Sequence, residues 1–221
     1  MIRNPWAVTR TVVAVLAVAA GCNACVLFVG GAALGGALVA ADRRSVGMQV
    51  EDLEIEHRVN NAFDERFARK SVRIDVTSYD QKVLLAGQVP TEKDRSVAEA
   101  LAGVQTNVRQ VYNELTIGSL AGLTSASDDT LLAGKVRAAL LDVPGLPAQI
   151  VKTTCTNGVI YLFGRVGRDE AQLAQTAASR VNGVKRVVAL FELLTDAQLE
   201  QIKRDFPPPP PRTEGPRSGG N

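Results

Sequence analysis

Few side chains in this chain of 221 residues can do covalent or acid–base chemistry: one histidine, His57, and three cysteines, Cys22, Cys25 and Cys155. One His and three scattered Cys do not make the close-spaced ligand set that zinc requires. His57 sits beside Arg58 on a helical pattern, off its apolar stripe. No Ser, Cys or acidic partner stands at catalytic spacing, so it reads as a solvated surface residue. Acidic residues number 23, but none pair with the apolar shielding that drives two carboxyl pKa values apart, and they read as solvated faces. Neither a G-x-G-x-x-G nor a Walker pattern offers a phosphate cradle. These observations point away from an enzyme, a cofactor, a metal and a small-molecule substrate. Cys155 stands in a strand before Asn157-Gly158 and reads as a buried free thiol, with cross-linking of two chains as the alternative. Cys22 has the distinctive setting: it follows Ala19-Ala20-Gly21.

That setting belongs to a longer pattern. Arg3 and Arg10 precede an uncharged stretch from Thr11 to Ala41, whose first part, Val12 to Ala20, is a short apolar core. A positive start, an apolar core and a small-residue exit describe an export signal over 1–21. With Cys directly after, the segment resembles a bacterial lipoprotein lipobox, which implies lipidation of Cys22 as the first mature residue. Ala19 stands where that family usually has Leu. Asn23 stands where an Asp would signal inner-membrane retention, so the resemblance implies the outer membrane, with an inner-membrane location as the alternative. The same stretch is long enough for an uncleaved membrane anchor. Gly30, Gly31, Gly35 and Gly36, however, make its second half a poor helix.

The elements that follow occur twice. With an offset of 77, Lys82–Val89 aligns with Val159–Val166, and Ile55, Val59, Ala62 and Phe63 align with Leu132, Val136, Ala139 and Leu140. Each copy opens with a helix bearing one apolar stripe. In the first copy Val72-Arg73-Ile74-Asp75-Val76 then alternates as a half-buried strand. Asp80-Gln81 and Asn157-Gly158 turn each copy into a hairpin. Acids at Glu92, Asp94, Asp169 and Glu170 open a second helix, and strands near 109–117 and 185–193 close the units. The expected fold is α+β: two tandem αββαβ domains at 51–118 and 128–196, each a small three-stranded mixed sheet with helices on one face. Gly87 and Gly164, at equivalent places after the second strand, read as structural glycines allowing close backbone approach.

The unit with V-x-L-x-G-x-V, closing as Val181-Asn182-Gly183-Val184-Lys185-Arg186-Val187, resembles the BON domain. Two such units behind a lipobox resemble the dual-BON-domain outer-membrane lipoproteins of the DolP (YraP) type. Arg44-Ser45-Val46-Gly47, Gln49-Val50-Glu51-Asp52 and Asp128-Asp129-Thr130 add to the likeness. The resemblance implies a non-enzymatic protein that binds anionic phospholipid through its second domain. It also implies support of outer-membrane integrity and division-linked envelope functions.

The two opening helices differ on their outer faces. Glu54, Arg58, Asn61 and Asp64 in the first copy stand where the second has Leu131, Lys135, Ala138 and Leu141. Leu131, Ala138 and Leu141 recur on one helical side, flanked by Lys135 and Arg137, as on an interfacial helix over anionic lipid. In the family the place of Leu131 is often Trp, a stronger interfacial anchor. The alternative is that this stripe packs on the first domain. It also serves a second reading, a scaffold that docks another envelope protein.

A lipidated tether over 22–50 and a Gly/Ser/Ala linker over 119–127 connect these parts. After a short helix near 195–205, Pro207–Pro211 begins a Pro-rich tail that reads as disordered. The formal charge of +2, with aromatics at 5%, is too small for a nucleic-acid partner. Without residues 1–21 the chain has 23 bases and 23 acids. The first domain holds 9 bases and 12 acids, the second 8 and 7, so the second is better suited to an anionic surface. Radioactive palmitate should label the chain and fail to label Cys22→Ala; equal labelling of both would remove Cys22 as the lipid site.

Overall fold

The computed structural model describes residues 42–67, 71–118 and 126–205. Cys22, Cys25, the export signal, the tether up to Ala41, most of the linker and the Pro-rich tail lie outside the described residues. The first domain runs α1 (Val46–Arg66), β1 (Arg73–Tyr79), β2 (Lys82–Val89), α2 (Glu92–Gly103) and β3 (Gln110–Ile117). The second runs α3 (Ala126–Leu141), a short 3-10 turn (Ala148–Ile150), β4 (Lys152–Thr156), β5 (Val159–Val166), α4 (Arg168–Ser179) and β6 (Arg186–Leu193). Helix α5 (Asp196–Asp205) follows. Helix α1 begins before the expected boundary at 51 because Ser45 caps it, its side chain accepting the Met48 N–H.

The two sheets repeat one topology. β1 pairs antiparallel with β2, and β2 pairs parallel with β3; β4, β5 and β6 do the same. The parallel pair needs a crossover, which α2 and α4 supply. Gly87 and Gly164 lie within β2 and β5, not after them as expected, at points of close backbone approach. Gly87 has φ +130°, and a Cβ there would strike the Arg73 carbonyl oxygen. A Cβ at Gly164 would lie 2.8 Å from the Ile150 carbonyl oxygen.

Successive residues of the central strands point to opposite faces, and both faces are buried. Val83, Leu85 and Val89 meet Ile55, Val59 and Phe63 of α1 and Ala98 and Ala102 of α2. Ile160, Leu162 and Val166 likewise meet Val136 and Leu140 of α3 and the alanines of α4. On the other faces Leu84, Ala86 and Tyr79 meet Tyr161 and Phe163 in a third core that joins the domains. The rings of Tyr79 and Phe163 stack with centroids 5.9 Å apart. The result is four layers, helices–sheet–sheet–helices. The polar residues of β1 that alternation assigns to an open face instead meet the second domain. Arg73 reaches Asp129 at 2.8 Å, and the Thr156 hydroxyl donates to Asp75 at 3.0 Å.

Asp52 and Asp129, exactly one repeat apart, correct the expectation of solvated acids, being only 2% and 3% exposed. Asp52 accepts the Asp80 and Gln81 N–H groups at 2.8 and 2.9 Å, the Ser78 hydroxyl at 2.7 Å, and Arg44 at 2.6 Å. Asp129 accepts the Asn157 and Gly158 N–H groups, both at 2.9 Å, and Arg73 at 2.8 Å. Asp80, Gln81 and Asn157 have φ of +53°, +63° and +53°, so each carboxylate ties down a turn that side chains rarely adopt. Asp129→Ala removes one partner of a buried ion pair and is expected to cost about 3–5 kcal/mol in urea unfolding. Exposed Lys93→Ala should stay within about 0.5 kcal/mol of the parent.

Candidate functional site

Helix α3 lays Val136 and Leu140 against β5 and turns its other side outward. Leu131 and Leu141 are each 65% exposed, and Lys135, Arg137 and Ala138 are exposed between and beside them. The stripe therefore does not pack on the first domain. The geometry explains this: the domains meet through the sheet faces, which leaves the opening helices in the two outer layers. Among the described residues Lys135 and Arg137 form no ion pair. Their charge is available to an outside partner. Among the same residues no helix is long and apolar enough to cross a membrane, and no three metal-ligating side chains converge.

A second exposed stripe lies on α1: Val46, Val50 and Leu53 at 61%, 50% and 64% exposure. It was not recognised from the sequence because the expected domain began at residue 51. Its i, i+4, i+7 spacing was the available signal. Its neighbour Glu54 is acidic and exposed, unlike the basic flanks of α3.

The joint between the domains is charged at its rim. Lys82 of β2 meets Glu192 of β6 at 3.1 Å, and Arg165 meets the same carboxylate at 3.2 Å. Arg186 reaches Glu114 at 2.8 Å, and Lys152 reaches Glu56 at 3.0 Å. Burial pushes the Glu192 carboxyl up, but the Lys82 hydrogen bond and the charges of Lys82 and Arg165 outweigh it and hold it below the usual range. Asp80 moves the other way, raised by burial and then by the Glu192 charge. Glu192 thus supports the fold at neutral pH and loses that support as pH falls through its lowered pKa. Asp80 is relieved earlier in that descent, as pH falls through its raised pKa.

His57 is exposed and contacts only the Asn61 amide, 3.0 Å away, among the described residues. Cys155 is partly buried and donates to Asp129 at 3.4 Å. Burial, followed by the Asp129 charge, pushes its thiol up to about 12. Such a thiol is almost wholly protonated at pH 8. Iodoacetamide should modify Cys155 in the native chain on the order of a hundredfold or more slower than in urea, read by peptide mass. Equal rates would show that the thiol is open.

Comparisons with known proteins give the family. Residues 51–119 and 128–195 each match the BON domain, together well over half of the chain. The chain is 36% identical over 175 residues to "Outer membrane lipoprotein DolP" of Haemophilus influenzae, spanning 79% of this chain and 89% of that protein. It is 34% identical to the "21 kDa hemolysin" of Actinobacillus pleuropneumoniae, over 68% of this chain and 78% of that one. It is 28% identical to "Osmotically-inducible protein Y" of Escherichia coli, over 69% and 77% respectively. Two matched domains, the repeated αββαβ topology and relatives matched along most of their length agree: the chain belongs to the BON-domain family, as a tandem-domain member related to the outer membrane lipoprotein DolP.

Proposed function

We propose that this chain is a non-enzymatic lipoprotein, anchored in the outer membrane through Cys22 and facing the periplasm. It binds anionic phospholipid through α3 and supports outer-membrane integrity, including at division sites. The observation that carries the reading is the outer face of α3. Leu131, Ala138 and Leu141 lie open beside Lys135 and Arg137, neither of which is ion-paired among the described residues. The equivalent helix of the first copy puts Glu54, Asn61 and Asp64 where α3 has those three apolar residues. Kinship with an outer membrane lipoprotein supports the location.

Magnitudes define what the face can do. Covering the two leucines supplies about 2–4 kcal/mol. Each basic residue near an anionic surface adds about 1 kcal/mol. A total of about 4–6 kcal/mol corresponds to dissociation constants from about 1 mM to tens of micromolar. The face alone binds weakly, and a lipid anchor supplies the effective concentration that makes it useful.

The scaffold reading has one observation in its favour, the α1 stripe of Val46, Val50 and Leu53, which lies in the opposite outer layer. Vesicle co-sedimentation of the unacylated two-domain chain separates the two readings. Binding to phosphatidylglycerol vesicles should exceed binding to phosphatidylcholine vesicles and weaken as salt rises. Leu131→Glu and Leu141→Glu should each weaken it about tenfold with the fold intact, and Leu53→Glu should leave it unchanged. Undiminished binding by both α3 variants would overturn the assignment to α3.

A further inference from the structure

The outward faces of α1 and α3 differ in shape. On α1, Val46, Val50 and Leu53 stand 61%, 50% and 64% exposed. They rise from one side of the helix within about 10 Å of its length. On α3, Leu131 and Leu141 stand about 15 Å apart along one side, and Gly134 and Ala138 lie exposed between them. A Cβ added at Gly134 would meet nothing within 4 Å. The α1 face is thus a ridge. The α3 face is a saddle, two leucines standing over a low floor of small residues. The ridge is shorter than the saddle and fits between its ends.

Charge sorts the possible pairings. Apart from the buried Asp52 and Asp129, α1 carries five acids and two bases, and α3 carries one acid and two bases. Two α1 helices, or two α3 helices, would bring like charges together; only α1 against α3 joins opposite signs. Glu54 flanks the ridge, exposed and 3.4 Å from Arg58 of its own helix. Lys135 and Arg137 flank the saddle and form no ion pair among the described residues. Lys135 stands one turn beyond the place of Glu54 in the repeat, so the two lie on the same flank of their helices. Antiparallel helices bring such flanks side by side. Within one copy α1 and α3 occupy opposite outer layers, so this pairing needs a second copy.

We propose that the α1 ridge of one copy docks antiparallel in the α3 saddle of the next, so that the chain associates head to tail. The contact is heterologous: a copy that gives its α1 still offers its α3, so growth does not stop at a dimer. One helix laid on another covers far less than the roughly 1,200 Å² of a stable interface. Rows therefore form only where copies are crowded and their effective concentration is high. The proposal does not rest on lipid binding by α3. It makes a second copy and an anionic bilayer rivals for one face.

Cross-linking of the full-length chain at high density in phosphatidylcholine vesicles, which leave no anionic rival for α3, tests this with equal parts of isotope-labelled and unlabelled chains. A zero-length carbodiimide should join Glu54 to Lys135 in peptides of mixed label and give a ladder of trimers and higher species. Val50→Asp and Gly134→Leu keep both cross-linked groups; the first puts a charge on the ridge and the second fills the saddle. Each should lower the mixed-label yield at least fivefold. Leucine suits a helix interior better than glycine, so Gly134→Leu should unfold in urea no sooner than the parent, and its loss of cross-linking is not a loss of fold. A wild-type ladder that ends at the dimer, or one without the mixed-label Glu54–Lys135 pair, would overturn the proposal. So would a yield that either variant leaves unchanged.

Discussion

Each domain is organised around one buried carboxylate. An ionised acid taken out of water costs several kcal/mol unless donors surround it. Asp52 and Asp129 meet that demand with two backbone N–H groups of a strained turn, a neighbouring hydroxyl or thiol, and an arginine. The arginine in each case comes from outside the repeating unit. Asp52 takes Arg44 from the segment before α1; Asp129 takes Arg73 from the first domain's opening strand. The same device that locks helix to hairpin within a domain thus binds the domain to what precedes it in the chain. The second domain is electrostatically complete only against the first.

The apolar counterpart of that dependence lies in the central strands. β2 and β5 are buried on both faces, one against helices and one against the other sheet. Separating the domains would open Tyr79, Leu84, Tyr161 and Phe163 to water and leave the pairs at Lys82, Lys152 and Arg186 without partners from the other domain. The two units are separate in sequence and share a core in space, so unfolding of one weakens the other. With both inner faces used up, the outer faces of α1 and α3 are left open among the described residues.

Much of this was legible in the sequence because the copies check each other. The 77-residue offset located both helices, the hairpin and the closing strand in each unit, and the turns at Asp80-Gln81 and Asn157-Gly158 lie where their residue types place them. The sheet-to-sheet joint was less accessible. Lys82–Val89 and Val159–Val166 read as near-continuous apolar runs, the mark of strands covered on both faces, but Arg73 and Asp75 in β1 suggested an open face. Those two charges are used between the domains instead. The buried acids were missed because an Asp in a helix's opening turns is ordinarily a solvated, dipole-favoured residue. Their coincidence at the same repeat position was the signal. The exposure of Leu131 and Leu141 was not decidable from α3 alone, since either outward face or domain contact satisfies the same spacing. It follows once the sheets, and not the helices, are known to meet.

The copies have kept the same interior and parted on the outside, and the difference is small by design of size. In the proposed lipid-binding role, two exposed leucines and two basic residues form a face large enough to prefer an anionic bilayer and too small to bind one firmly or to drive aggregation. A stronger face would gain little in a chain anchored as proposed, because tethering replaces the search through solution with a local one. Arg43 lies just before the first domain but is bound to Glu170 and the Arg165 carbonyl of the second, so the segment leading into α1 braces the two domains against each other. That joint helps keep the sheet faces closed, and closed sheet faces are what leave the α3 side chains on the outside.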